Sequence, residues 1–219
     1  NQFQRHALHV ASGASLSLVV MGGDGDAAYP MHRWLQVHLE EGAQLSLINV
    51  QCAGGVHWQD WSIEQAANSH LTIKTIHLAE SSTYRREHYR IHLHKGSKCH
   101  FDNLTCAQNQ SHVDQVVEIT HEGEDGFSEQ KHAQVLSDAA QGGFHSEARV
   151  LSGASRSHSI QKSRSLLLSK QAEAHVKPRL RIDHDDVACQ HGATIGYLDE
   201  AALFYMRARG LSEAQARYL

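Results

Sequence analysis

Proline is almost missing from this chain, with two residues in 219. Breaks between secondary-structure elements must therefore fall on glycine, serine, asparagine and aspartate. Aromatic residues make up only 6%, which argues against a β-helical carbohydrate-active enzyme, whose groove needs stacked rings beside converging carboxylates. No carboxylate cluster is evident either. Four cysteines with no C-x-x-C exclude a disulfide framework and a zinc finger. No apolar run approaches a membrane span, and residues 1–20 lack a basic region followed by an uninterrupted apolar one. Twenty Lys and Arg face 24 Asp and Glu without a basic block, so neither a nucleic-acid surface nor a membrane contact is indicated. The expected compartment is a reducing cytoplasm. Nucleotide and hydrolase signatures are missing too: G-x-x-x-x-G-K-[ST], G-x-G-x-x-G after a strand, G-x-S-x-G and H-E-x-x-H are all absent. We expect no enzyme and no nucleotide bound by this chain.

What the chain has in excess is histidine, 19 residues, whose full protonation would move the formal charge from −4 to +15. A histidine-rich metal buffer or sensor is one reading. Solvated or hydrogen-bonded strand histidines are the commoner case. His88, Arg90, His92 and His94 would share one strand face, as a solvated ladder between neighbouring strands. Cys99, His100 and Cys106 lack zinc spacing and read as structural. Cys52 and His57 flank the turn Gly54-Gly55.

Alternating polarity recurs throughout, as in Leu45–Val50, Leu71–Leu78 and Tyr89–His94, and period two with Ile, Val, Thr and aromatics predicts strands. Small residues precede strands at Gly13, Gly42, Ser69, Gly96, Gly123 and Gly153, at intervals of 29, 27, 27, 27 and 30 residues. A repeat of that length with two or three short strands suits one coil of a β-solenoid. An antiparallel sandwich is the alternative. It is disfavoured because two-residue hairpin turns are few, Asp24-Gly25 and Asp125-Gly126 being the exceptions. After Asp199 the pattern changes to a helix: Asp199 serves as N-cap, Arg207 and Arg209 lie in the last turn, and Gly210 is the stop. Ser212 and Gln215 then form a capping box opening a second helix. The expected division is an all-β core over 1–198 and a helical segment over 199–219.

Cys189 and His191, two apart on a strand, point to one side and are ligand types suited to iron or an iron–sulfur centre. Taken by itself, such a pair is more often a cysteine packed as a small hydrophobe beside a turn histidine. A cluster iron needs four ligands, so a pair from one chain calls for a partner chain or small-molecule ligands. Asp185 and Asp186 precede the strand; being adjacent, they do not converge as an acid/base couple, and one would close a turn while the other faces an interface.

The run Asp185-Asp186-Val187-Ala188-Cys189-Gln190-His191-Gly192-Ala193-Thr194, then Gly196-Tyr197-Leu198-Asp199 and Leu203-Phe204-Tyr205, closely resembles the C-terminal signature of the SufD and SufB family, leaning to SufD. Ser165-Leu166-Leu167-Leu168-Ser169 and Lys177-Pro178-Arg179-Leu180-Arg181-Ile182 fit as well, so the likeness covers roughly residues 150–217, far more than a lone motif. It implies a right-handed parallel β-helix and a scaffold role in SUF iron–sulfur cluster assembly, with a SufB-like subunit, or a second copy of itself, across an interface. It also implies a nascent cluster or iron held transiently by Cys189 and His191 at that seam. A SufC-like ABC ATPase would dock on the helical surface carrying Phe204, Tyr205, Arg207 and Arg209. Family members usually carry further helical regions, so the chain reads as a core fragment or a minimal variant.

Overall fold

The computed structural model describes residues 2–22, 30–52, 54–80 and 83–218; the Asp24-Gly25 turn lies outside them. Fourteen strands alternate between two seven-stranded sheets. The first sheet holds β1 (Gln2–Val10), β3 (Met31–Leu39), β5 (Gly55–Gln65), β7 (Thr83–Leu93), β9 (His112–His121), β11 (Gln141–Val150) and β13 (Glu173–Ile182). The second holds β2 (Ser15–Gly22), β4 (Gln44–Gln51), β6 (His70–Ala79), β8 (Lys98–Ala107), β10 (Phe127–Leu136), β12 (His158–Leu167) and β14 (Ala188–Tyr197). Every strand pairs in parallel with the strand two positions along. This is a parallel β-solenoid with two strands per coil. The hairpin-linked sandwich is overturned, since a hairpin would pair consecutive strands antiparallel.

The corners explain the period. At one edge of the stack each of the first six coils places one residue in the left-handed region: Gly13 (φ 67°), Gly42 (69°), Asn68 (57°), Gly96 (66°), Asp125 (61°) and Arg156 (56°). Their N–H groups donate to the next coil, Gly42 to the Ala67 carbonyl at 3.0 Å, Asn68 to Lys95 at 2.8 Å and Gly96 to Glu124 at 2.9 Å. The Ser69, Gly123 and Gly153 markers sit one to three residues from the true corner. Asn and Asp tolerate this conformation because their short side chains hydrogen-bond locally. Asp125-Gly126 is thus a solenoid corner and not a hairpin. Gly123 is small for another reason: a β-carbon there would lie 2.4 Å from the Lys95 backbone nitrogen.

The core lies between the sheets. Leu45, Leu71 and Cys99 follow one another in register from β4 to β8, as do Leu47, Ile73 and Phe101. Trp61 stacks on Tyr89 (5.4 Å between centroids, 12°), and Tyr89 meets Phe101 edge-on at 4.8 Å. Burial lifts the Cys99 thiol to about 12, fitting its structural role.

Two short helices follow β14. In α1 (Glu200–Ala208) the Asp199 carboxylate accepts from the Ala201 and Ala202 N–H groups at 2.9 and 3.2 Å. Gly210 (φ 94°) ends it. In the capping box of α2 (Glu213–Tyr218), Ser212 N–H donates to Gln215 Oε1 at 2.9 Å and Gln215 N–H to Ser212 Oγ at 3.2 Å. Among the described residues no helix is long and apolar enough to cross a membrane.

Candidate functional site

The site grows out of register. In β12 the inward side chains are Ser159, Gln161, Ser163, Ser165 and Leu167, all buried. They pair one to one with Cys189, His191, Ala193, Ile195 and Tyr197 of β14. These five therefore continue the inward columns, but β14 is the last strand of its sheet among the described residues. His191 is exposed and Cys189 half-buried, its thiol pushed upward by burial against a smaller lowering from a backbone hydrogen bond with Ser159. The opposite wall at this end is apolar: Val176, Pro178, Leu180 and Ile182 on β13. Ile182, Ile195 and Tyr197 are 44%, 50% and 66% exposed. An uncapped coil leaves both apolar surface and unpaired strand-edge groups in water.

Cys189 and His191 lie on one face, as their spacing requires. Asp185 and Asp186 occupy an exposed bend before β14, and the Asp186 carbonyl accepts from the Arg156 N–H at 2.6 Å. Asp186 thus helps close the corner while its neighbour stays exposed. Phe204 (74% exposed) and Tyr205 (60%) stand out from α1. Arg209 lies over the Tyr205 ring at 5.2 Å and donates to its hydroxyl at 2.9 Å, while Arg207 pairs with Glu213 at 3.8 Å. Leu203 and Ala216 hold the two helices from within.

The histidine ladder is an outward network of cross-coil histidine–carboxylate contacts: His32–Asp60 at 2.7 Å, His88–Glu118 at 3.1 Å and His92–Glu122 at 2.7 Å. Among the described residues no group of three or more His, Cys, Asp or Glu side chains is arranged to hold a metal ion.

One cluster escapes any reading of the sequence. Glu87 is wholly buried, 3.1 Å from His77 Nε2, an ion-pair contact lacking hydrogen-bond alignment. Tyr89 donates to Glu87 at 3.0 Å, and Asn49 donates to the Tyr89 hydroxyl at 2.9 Å. Arg85 donates to Gln51 at 2.6 Å, and Gln51 in turn donates to Asn49 at 2.6 Å. Burial raises the Glu87 carboxyl, but His77, Arg85 and Tyr89 outweigh it and hold it at about 2. Only the coil register brings these residues together; no motif or spacing signals them.

The family model described as SUF system FeS cluster assembly, SufBD core domain, matches residues 1–219. The chain belongs to the SufBD core family. It is 30% identical over 186 residues to an iron–sulfur cluster assembly SufBD family protein of Synechocystis, covering 84% of this chain and 41% of that protein. It is 36% identical over 92 residues to the iron–sulfur cluster assembly protein SufD of Escherichia coli, covering 42% and 22%. A Bacillus subtilis protein of the same name is 37% identical over 85 residues, covering 39% and 20%. This SufBD core chain spans less than half the length of the curated relatives it matches.

Proposed function

We propose that this chain is a SufD-like, non-enzymatic scaffold subunit whose open β14 end pairs with another chain, a SufB-like subunit or a second copy. Cys189 and His191 would be its contribution to a nascent iron–sulfur cluster at the seam. The observation that carries the reading is the placement of a thiol and an imidazole on the inward face of the terminal strand. That strand also carries the exposed apolar Ile195 and Tyr197, beside Ile182 on β13, which a partner would cover. Two donors from one chain leave the remaining iron positions to the partner or to small thiols and sulfide. The cluster is cargo, held until passed on.

Each residue has a distinct task. Cys189 binds iron as thiolate, so its proton must leave on metallation, and burial by a partner makes that loss harder until the metal's charge compensates it. His191 offers a neutral imidazole, as a second ligand or as proton acceptor for an incoming persulfide. Asp185 and Asp186 border the seam. The exposed ring pair and arginines of α1 would meet a SufC-like ABC ATPase, whose ATP-driven movement opens the seam where the ligands lie. The division into a core over 1–198 and a helical docking segment over 199–219 belongs to this reading, as does a cytoplasmic setting.

The test is anaerobic cluster formation, read by visible absorbance, for a complex of this chain with SufB-like and SufC-like subunits. Cys189→Ser and His191→Ala should each lower yield, the thiolate more, since sulfur is the softer ligand. Melting should stay close to wild type. Unchanged yields in both variants with the complex intact would defeat the ligand assignment. A monomer by light scattering at tens of micromolar, without and with a SufB-like subunit, would defeat the pairing.

A further inference from the structure

Directly behind the open end, the solenoid interior changes character. In coils two to four the second sheet's inward columns begin with Leu45, Leu71 and Cys99, and with Leu47, Ile73 and Phe101. From β10 onward they read Ser128, Gln130, His132 and Gln134, then Ser159, Gln161, Ser163 and Ser165. All eight are at least nine-tenths buried. Across the gap, Phe144 stacks on His132 at 4.0 Å and Ser146 lies beside it on β11.

Part of this layer is paired: Ser128 donates to Ser159 at 3.0 Å and Gln134 to Ser165 at 2.8 Å. Much is not. Gln130 Oε1 and Nε2, Gln161 Oε1, Ser146 Oγ and Ser163 Oγ make no hydrogen bond to protein, and the His132 nitrogens and Gln134 Oε1 make none that is well aligned, although Gln134 lies near enough to His132 to raise its ring; each atom is shut off from outside solvent. Buried donors and acceptors in folded proteins almost always have a partner, protein or ordered water. So many in one layer, with both functions of one amide and both nitrogens of one imidazole, cannot all be left bare.

The same register supplies room. Down one column the side chains shrink from His132 through Ser163 to Ala193; in the next column Gln130 and Gln161 lead to His191. Shrinking side chains in one column beside amides in the next are what a water needs: room and two to four polar partners.

We propose that the interior of the last coils is a binding site for a row of ordered water molecules. The row bridges Gln130, His132, Gln134, Gln161, Ser146 and Ser163 and reaches the end of the stack beneath His191. The inference stands independently of the cluster-scaffold reading, because it follows from polar atoms that the protein itself does not pair. It gives the open end an inner aqueous side that a partner covering β14 would not remove. A chain of this size holds about eight buried waters by general proportion; this layer should take several of them.

A crystal structure of the whole chain at high resolution decides the point, with oxygen-17 magnetic relaxation dispersion counting long-lived internal waters in solution. We expect density within hydrogen-bonding distance of His132 and Gln130, and a count that falls by at least one in His132→Phe, which keeps the stack on Phe144. Crystals showing these side chains satisfied by one another, or a dry layer, would overturn the proposal. So would His132→Phe raising the melting temperature with the water count unchanged, because that is the response of a dry, unpaired imidazole. Should His132→Phe fail to fold, the wild-type density and Ser163→Ala, which removes one water partner without adding bulk, give the same decision.

Discussion

Acid should weaken this protein well before its carboxylates titrate, and His121 shows why. Its ring is wholly buried, with Nε2 2.8 Å from Ser128 Oγ. Ser128 spends its one proton on Ser159 at 3.0 Å, so it accepts from His121 Nε2–H, and the bare Nδ1 is left to take a second proton. Nδ1 has no hydrogen-bond partner, and a β-carbon on Gly126 would lie 2.7 Å from it. Burial alone, with no charged neighbour contributing, lowers the folded-state value from 6.5 to about 4. Between those values the unfolded chain binds more protons, so the stability is complete above pH 6.5 and falls as pH drops toward 4. The loss is about 2 kcal/mol at pH 5 and levels off at about 3 kcal/mol below pH 4. For a chain of this size 2 kcal/mol lowers the melting midpoint by about 4–8 °C. Circular dichroism melts at pH 7.5 and pH 5, on wild type and His121→Gln, measure it. Glutamine keeps a donor toward Ser128 but cannot ionise, so the variant's acid shift should be smaller by that amount. An equal shift in both proteins would refute the reasoning. His132, pushed to about 3 chiefly by burial, adds a loss of the same sign, smaller to the extent that interior water solvates its ring.

Gly123→Ala should cost about 2 kcal/mol or more in chemical denaturation, because its β-carbon would meet the Lys95 backbone at 2.4 Å, whereas Gly153→Ala, 3.6 Å from the Glu122 carbonyl, should stay within about 0.5 kcal/mol; equal costs would contradict the corner geometry. Glu87→Leu should destabilise by about 3–5 kcal/mol, since it strands a buried His77 and removes the acceptor of Tyr89 and Gln115; a melting point at or above wild type would show that the network is dispensable. Its carboxyl, held at about 2, contributes stability that is complete above pH 4.5 and lost toward pH 2, so wild type and Glu87→Gln should converge in stability over that range. Asn68→Ala should cost about 1 kcal/mol through its positive φ, and Asn68→Gly should be nearly neutral.

The strands and the coil length were legible because alternation and small corner residues are local signals. Which face of a strand is inside was less so. By hydrophobicity alone β12 would bury Ile160 and Leu166. Instead Ser159, Gln161, Ser163 and Ser165 point inward, and Leu166 is 37% exposed. In a solenoid the inward face is set by register with the coils on either side, through backbone hydrogen bonds that leave each strand no freedom to turn over. A strand deep in the stack can therefore carry an inverted pattern at tolerable cost, and its own sequence does not disclose it. The Cys189–His191 pair stood out in the sequence through its spacing and its family wording. Its position at an open end needed the strand order.

That order also relates the polar interior to the site. The first sheet's inward side becomes more apolar toward the end of the stack, from Arg33, Gln59, Glu87 and Gln115 to Phe144 and Val176 along one column. The second sheet runs the opposite way, from Leu47, Ile73 and Phe101 to Gln130, Gln161 and His191. A stack whose only demand was stability would keep both walls apolar, since buried polar groups contribute little net stability and are costly when unpaired. The two opposed gradients instead leave a polar wall and an apolar wall facing each other at the β13–β14 coil. The apolar wall suits a partner's side chains. The polar wall keeps the thiol and imidazole of β14 beside hydroxyls and amides that can exchange protons with water, as the ligand role proposed for them would require.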